Sequence, residues 1–270
     1  MLELPRGAGR EQVMAESRRR FLKIAGISLA GVGWSVPVAT ALGRSTAQNA
    51  TPGLKHWAMV IDTGSCLRRE GCSACFDACH AAHNVPRMDN PRHEIKWIWK
   101  VPYEHAFPEQ AHEHTEDRLH QQPVVVLCNH CERPPCVRVC PTQSTWKRAP
   151  DGIVMMDQHR CIGCRYCIAA CPYGARSFNF KDPRPFIEGM HDNYPTRTRG
   201  VVEKCNFCAE RLAEGAEPAC VVACRQQGNH ALAFGDLSDP GSRVSRLLRL
   251  AHTIRRKPNL GTGPNVYYIV

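Results

Sequence analysis

Sixteen cysteines stand in this chain of 270 residues, in four groups of four with none left over. The first group is Cys66, Cys72, Cys75 and Cys79, and the second is Cys128, Cys131, Cys136 and Cys140. The third is Cys161, Cys164, Cys167 and Cys171, and the last is Cys205, Cys208, Cys220 and Cys224. Every group contains C-x2-C and closes on C-x3-C. Thiols this close along a chain strain a disulfide. As thiolates they can instead converge on soft metal ions.

The third group, "CIGCRYCIAACP", has the spacing C-x2-C-x2-C-x3-C-P. That is the bacterial ferredoxin run for iron–sulfur clusters. Two-residue gaps let the backbone curl around a cubane, so three thiolates reach three irons. Pro172 has a restricted φ and no donor amide, so the chain turns away after Cys171. In such runs the fourth cysteine ligates the neighbouring cluster. The second group is the same device with a longer middle gap. The last has eleven residues between Cys208 and Cys220, and the first has five between Cys66 and Cys72. Structural zinc on four thiolates wants two C-x2-C pairs parted by a loop, which the third group does not supply. The expectation is four [4Fe–4S] clusters, with all sixteen cysteines as iron ligands and four per cluster. Cys164 is present where a three-iron cluster would lack its ligand.

The elements that must position these thiols are short. "WAMVIDTGSC" and "GIVMMDQHRC" align: an apolar run, then Asp62 or Asp157, then the first cysteine of a group. "VVVLC" and "GVVEKC" are short β-branched approaches to the other two groups, and "ARSFNF" and "ALAFGDL" follow the third and last as strand-like runs. The repeated unit is strand, cluster loop, short helix, strand. The fold class expected is α+β: two bacterial-ferredoxin-like modules with long loop insertions and a small core stabilised by clusters. Residues 80–122 are an insertion rich in His, Pro and Glu. His105, His112 and His114 are read there as solvated loop histidines, with a zinc or haem role as the alternative. His80 and His83 are read as packing or surface residues.

At the N-terminus, "SRRRFLK" precedes a charge-free, mildly apolar run over residues 24–43. Arg18 and Arg19, with Phe21, Leu22 and Lys23, resemble a twin-arginine (Tat) export signal, with a cleavage site at Ala39-Thr40-Ala41 or near Ala47 and a retained membrane anchor as the alternative. Tat carries folded cargo, so reduced cysteines could reach an oxidising compartment already bound to metal. The formal charge is +10. Beyond Arg18–Arg20 the basic residues are scattered, and no helix-turn-helix pattern occurs. Oxidised cubanes with four thiolates are anionic, so the basic excess is read as their counter-charge.

The four groups, in this order, resemble the four-cluster ferredoxin-type subunits of DMSO-reductase-type and polysulfide-reductase-type complexes, over about residues 54–270. More narrowly, "HNVP", "EIKWIWK", "LCNHCERPPCVRVCPTQ", "MDQHRCIGCRYCIAACPYGARSF" and "TRTRGVVEKCNFCAERL" resemble the DsrO-type iron–sulfur subunits of the Dsr sulfite-reduction-associated membrane complex. The resemblance implies that Cys66, Cys72 and Cys75 share a cluster with Cys224, and that Cys205, Cys208 and Cys220 share one with Cys79. It likewise pairs Cys128, Cys131 and Cys136 with Cys171, and Cys161, Cys164 and Cys167 with Cys140. The implied domains are a signal peptide over 1–41, one module over 54–122 plus 198–245, a second over 123–197, and a C-terminal tail over 246–270.

The function implied is a periplasmic electron-transfer subunit, with no catalysis of its own. Its implied partners are an NrfD-type quinone-interacting membrane subunit and a multihaem cytochrome c with further redox subunits. The alternative is the electron-transfer subunit of a periplasmic molybdopterin oxidoreductase.

Overall fold

The computed structural model describes residues 54–110, 112, 114 and 117–270. The expected signal, with Arg18 and Arg19, lies outside the described residues. In chain order the elements are β1 (Trp57–Asp62), α1 (Thr63–Leu67), α2 (Ala74–His83), β2 (Ile98–Pro102), α3 (Tyr103–Ala106), α4 (Asp117–His120) and β3 (Pro123–Leu127). Next come α5 (Pro135–Arg138), β4 (Thr145–Lys147), β5 (Val154–Met156), α6 (Tyr166–Ala169), β6 (Ser177–Phe178) and β7 (Val202–Glu203). The chain closes with α7 (Ala209–Ala213), α8 (Ala219–Gln226), β8 (Leu232–Asp236), α9 (Arg243–Leu250), β9 (Thr253–Ile254) and β10 (Val266–Ile269). No helix among the described residues is long and apolar enough to cross a membrane.

The largest sheet has the order β8-β1-β10-β9, with β1 antiparallel to β8 and parallel to β10. β1 is an interior strand, and its two faces separate with the period of two that a strand imposes. Met59 and Ile61 join the main core with Cys75, Cys79 and Cys224. Ala58 and Val60 face the other way, onto Val244, Leu247 and Leu248 of α9. That helix begins cleanly because the Ser242 hydroxyl accepts the Ser245 N–H. Burial on both faces explains why β1 is an unbroken apolar run rather than an alternating one.

The aligned aspartates play matching parts. Asp62 Oδ1 accepts the Ser65 N–H at 2.8 Å and caps α1, which carries Cys66. Asp157 Oδ1 accepts the His159 N–H at 2.8 Å and turns the chain into Cys161. Each carboxylate fixes the entry to a cluster loop.

Pairings cross the boundaries read from the sequence. β2 pairs with β3 across residue 122, and β6 pairs with β7 across residue 197. The segment read as a tail supplies β10, which is inserted between β1 and β9. Its Tyr268 is fully buried against Phe107, with ring centroids 5.0 Å apart. Residues 246–270 therefore contribute β9 and β10 to the sheet that supports the cysteines, because β1 would otherwise expose an apolar edge.

Candidate metal centres

Cys75 and Cys79 lie on α2, Cys220 and Cys224 lie on α8, and the two helices pack together. A four-residue step along a helix is about 6 Å. Each helix therefore runs past two sites and offers one thiol to each. Burial, then the neighbouring thiols of Cys66, Cys224 and Cys72, push Cys75 up to about 12. One turn on, burial and then Cys205, Cys220 and Cys208 push Cys79 well up. The two thiols of one C-x3-C thus belong to different neighbourhoods.

The middle groups behave alike. Burial pushes Cys131 up to about 12, with Cys128, Cys136 and Cys171 as its thiol neighbours. Cys128, Cys131, Cys136 and Cys171 line one small cavity together with Tyr173 and Arg176. Burial also raises Cys167, against the nearby charge of Arg176, and its thiol neighbours are Cys136 and Cys161. Cys140 differs. Burial would raise it, but hydrogen bonds from the Ser144 hydroxyl, the Thr145 amide and the Thr142 hydroxyl bring it down to about 7. Ser144 Oγ is 3.2 Å from its sulfur. Cys164 is half-buried. In this fourth set the thiol contacts that gather the others are seen for Cys161 and Cys167 only.

The sets are also electrostatic neighbours of one another. Cys220 is raised by burial, then by Cys208, Cys205 and Cys75, so the α2–α8 pair joins two sets. Burial and then Cys128 raise Cys205, which joins the second neighbourhood to the third. The nearness of Cys136 and Cys167 joins the third to the fourth.

All sixteen cysteines are unbridged. Among the described residues, the trio of donors within 4.8 Å of one another is His83, Cys208 and Glu210, so no three sulfurs come that close. One zinc ion with bonds of about 2.3 Å needs its sulfurs roughly 3.8 Å apart. Wider spacing suits thiolates on separate corners of a cluster. Backbone amides already face sulfurs: Phe207 N–H points to Cys205 Sγ, and Ala219 N–H to Cys208 Sγ, each at 3.4 Å. Buried thiols of raised pKa stay protonated until a metal supplies positive charge. The donor set fits iron–sulfur clusters.

Comparison with known proteins agrees with that chemistry. Residues 122–184 match the 4Fe-4S dicluster domain family. An Hdr-like menaquinol oxidoreductase iron–sulfur subunit 1 of Archaeoglobus fulgidus is 39% identical, over 93% of this chain and 97% of its own length. The iron–sulfur cluster-binding subunit of menaquinone reductase from Nitratidesulfovibrio vulgaris is 38% identical, over 79% of this chain and 88% of its own. A tetrathionate reductase subunit from Salmonella typhimurium is 35% identical, over 95% of this chain and 89% of its own. The chain belongs to the 4Fe-4S family of iron–sulfur subunits of oxidoreductase complexes.

In this iron–sulfur subunit a polar residue beside the cysteines has partners that the sequence did not reveal. His83, read as a packing or surface residue, is 1% exposed. Its Nδ1 lies 2.9 Å from the Cys79 carbonyl and 3.8 Å from Cys79 Sγ. Its Nε2 lies 2.7 Å from Glu210 Oε1. Burial would keep the ring neutral, but its hydrogen bonds to Cys208 and Glu210 outweigh that and raise it to about 9. The available signal was its place one helical turn after Cys79. His80 is half-buried on α2, where burial lowers it to about 4, and the singled-out histidines of the insertion are peripheral. His105 is exposed, with Nε2 3.8 Å from Glu104, and the His112 and His114 rings lie 6.2 Å apart at the surface. Within the long Cys66–Cys72 gap, Arg69, Glu70 and Gly71 line a cavity of about 680 Å³ with Cys66 and Lys100.

Proposed function

We propose that this chain is an electron-transfer subunit that holds four [4Fe–4S] clusters in a row. Its ligand sets would be Cys66, Cys72, Cys75 with Cys224; Cys205, Cys208, Cys220 with Cys79; Cys128, Cys131, Cys136 with Cys171; and Cys161, Cys164, Cys167 with Cys140. When bound, each cluster supplies a one-electron couple. The observation that carries the reading is the sharing of α2 and α8 between two thiol neighbourhoods: Cys75 keeps company with Cys224, and Cys79 with Cys205 and Cys220. Such sharing brings neighbouring sites within a few helical residues of one another and supports a relay from the Cys66 end to the Cys161 end. The groups one and four would form one ferredoxin-like module, and groups two and three the other. The packing of α2 on α8 and of α5 on α6 supports that division.

The chain would work at the outer face of the cytoplasmic membrane, exported folded through its Arg18–Arg19 signal. There it would relay electrons between an NrfD-type quinone-interacting membrane subunit and a multihaem cytochrome c with further redox subunits, in a Dsr-type complex of sulfur metabolism. Relatives named for menaquinol oxidation and menaquinone reduction support the quinone link. The second reading, a subunit of a periplasmic molybdopterin oxidoreductase, is supported by the tetrathionate reductase relative. Purifying the native assembly separates the two. A cytochrome c and a polytopic membrane subunit, with reduction by a menaquinol analogue, are expected; a large molybdenum-containing subunit would overturn the Dsr-type reading.

A further inference from the structure

Of the three buried arginines among the described residues, Arg176, Arg197 and Arg256, the first two are held very differently. Arg197 pairs with Glu203, Nη2 to Oε2 at 2.6 Å, both side chains wholly buried. Arg176 is 4% exposed. Its Nη2 donates to Cys136 Sγ at 3.1 Å and to Thr145 Oγ1 at 2.7 Å, and its Nη1 lies 3.6 Å from Met156 Sδ. The titratable side chains that bear on it are those of Cys136, Cys167 and Cys128, and no carboxylate among the described residues pairs with it. An interior guanidinium without a counter-ion is strongly disfavoured. As cluster-bound thiolates, the sulfurs of Cys136, Cys128 and Cys167 would supply its counter-charge.

Those sulfurs come from two neighbouring sets. Cys136 and Cys128 lie in the set that lines the cavity with Arg176, while Cys167 lies in the next. We propose that Arg176 is the shared counter-ion of these two cluster sites and holds both potentials above the values they would otherwise have. The inference rests on the four-cluster function proposed above.

The physical reason is direct. Each electron that arrives adds negative charge to a thiolate-bound core. A fixed cation in a low-dielectric interior favours the more negative, reduced form, so the potential rises. A cation placed between two sites raises both together. The planar fork matters as well as the charge, since one nitrogen must reach Cys136 while it is anchored on Thr145. Thr145 is fixed in turn, its hydroxyl donating to the Met155 carbonyl at 2.7 Å. Arg176 is thus a positioning residue that acts through the ligands.

The test uses the native assembly, purified without oxygen, as wild type, Arg176→Met and Arg176→Lys. Iron per chain and an EPR-monitored redox titration are read for each. The expected result for Arg176→Met is full iron, two midpoints moved down and two unmoved. Arg176→Lys keeps the charge and loses the fork, so a smaller downward shift is expected. Full iron with all four midpoints unmoved in Arg176→Met overturns the proposal, as does a shift confined to the other two. If Arg176→Met loses iron, Arg176→Lys decides: full iron with lowered midpoints supports the proposal, and unmoved midpoints or lost iron overturn it in favour of a purely structural part. The reading beneath it fails separately, if wild type holds far fewer than roughly sixteen irons per chain, four for each cubane.

Discussion

The rings of His130 and Phe207 stack with centroids 3.7 Å apart and planes at 21°. They occupy equivalent places in "CNHC" and "CNFC", and both have left-handed backbones, with φ of 42° and 56°. The second and last cysteine groups therefore meet through matching loop residues, at the point where Cys128 and Cys205 are neighbours. Phe207 is 1% exposed and also meets Phe234 edge-on at 5.2 Å. Phe207→Ala should cost about 3–5 kcal/mol of stability, the usual range for a buried aromatic. Thermal unfolding followed by circular dichroism checks this. A midpoint within a degree or two of wild type would show that the stack carries little.

Arg197 and Glu203 form the other interior relationship. Glu203 also accepts Trp97 Nε1–H at 3.0 Å and an Asn179 Nδ2–H at 2.6 Å. Arg197 donates to the carbonyls of His83 and Asn84. Removing one partner leaves a buried charge alone, so Glu203→Ala should cost about 3–5 kcal/mol. The double variant Arg197→Met with Glu203→Leu should recover part of that loss. Urea unfolding of the three chains measures it, and additive losses in the double variant would contradict the coupling.

His56 gives a pH dependence of stability. Its Nε2 is 2.5 Å from Glu132 Oε1, and that hydrogen bond raises it above its usual 6.5 against the opposing effect of burial. A raised histidine stabilises the fold fully below 6.5 and loses that contribution as pH climbs through its folded value. Glu132, lowered first by the His56 hydrogen bond, contributes above 4.5 and loses its part only in stronger acid. The melting-temperature gap between wild type and His56→Gln should therefore be widest near pH 6 and narrow towards pH 9. A constant gap over that range would contradict the pairing.

Much of the site was legible in local spacing. The C-x2-C and C-x3-C runs, the Asp62 and Asp157 turns and the strand-like approaches are all short-range features, and the structure places β1, β3, β5 and β7 at those approaches. What was not legible comes from long-range contact. His83 looks like any helical histidine until Glu210 is folded against it. Arg176 follows the third group as one basic residue among many, and only burial beside Cys136 singles it out. The closing "NVYYIV" reads as a tail because nothing in its own residues says that it pairs with β1, more than 200 residues earlier.

Export is testable independently of the clusters. Arg18→Lys together with Arg19→Lys should leave full-length precursor in the cytoplasm, since the paired arginines are the distinguishing feature of the signal. Cell fractionation and immunoblotting read the outcome. Normal periplasmic yield of the double variant would remove the Tat reading.

The central claim is that sixteen thiols hold four iron cubanes. Iron and acid-labile sulfide should be counted per chain on the native assembly purified without oxygen, beside a Cys164→Ser variant. The account predicts roughly sixteen irons and sixteen sulfides in this subunit, and a variant that has lost or converted one cluster while the others persist. Zinc without sulfide, or cysteines paired as disulfides, would contradict it.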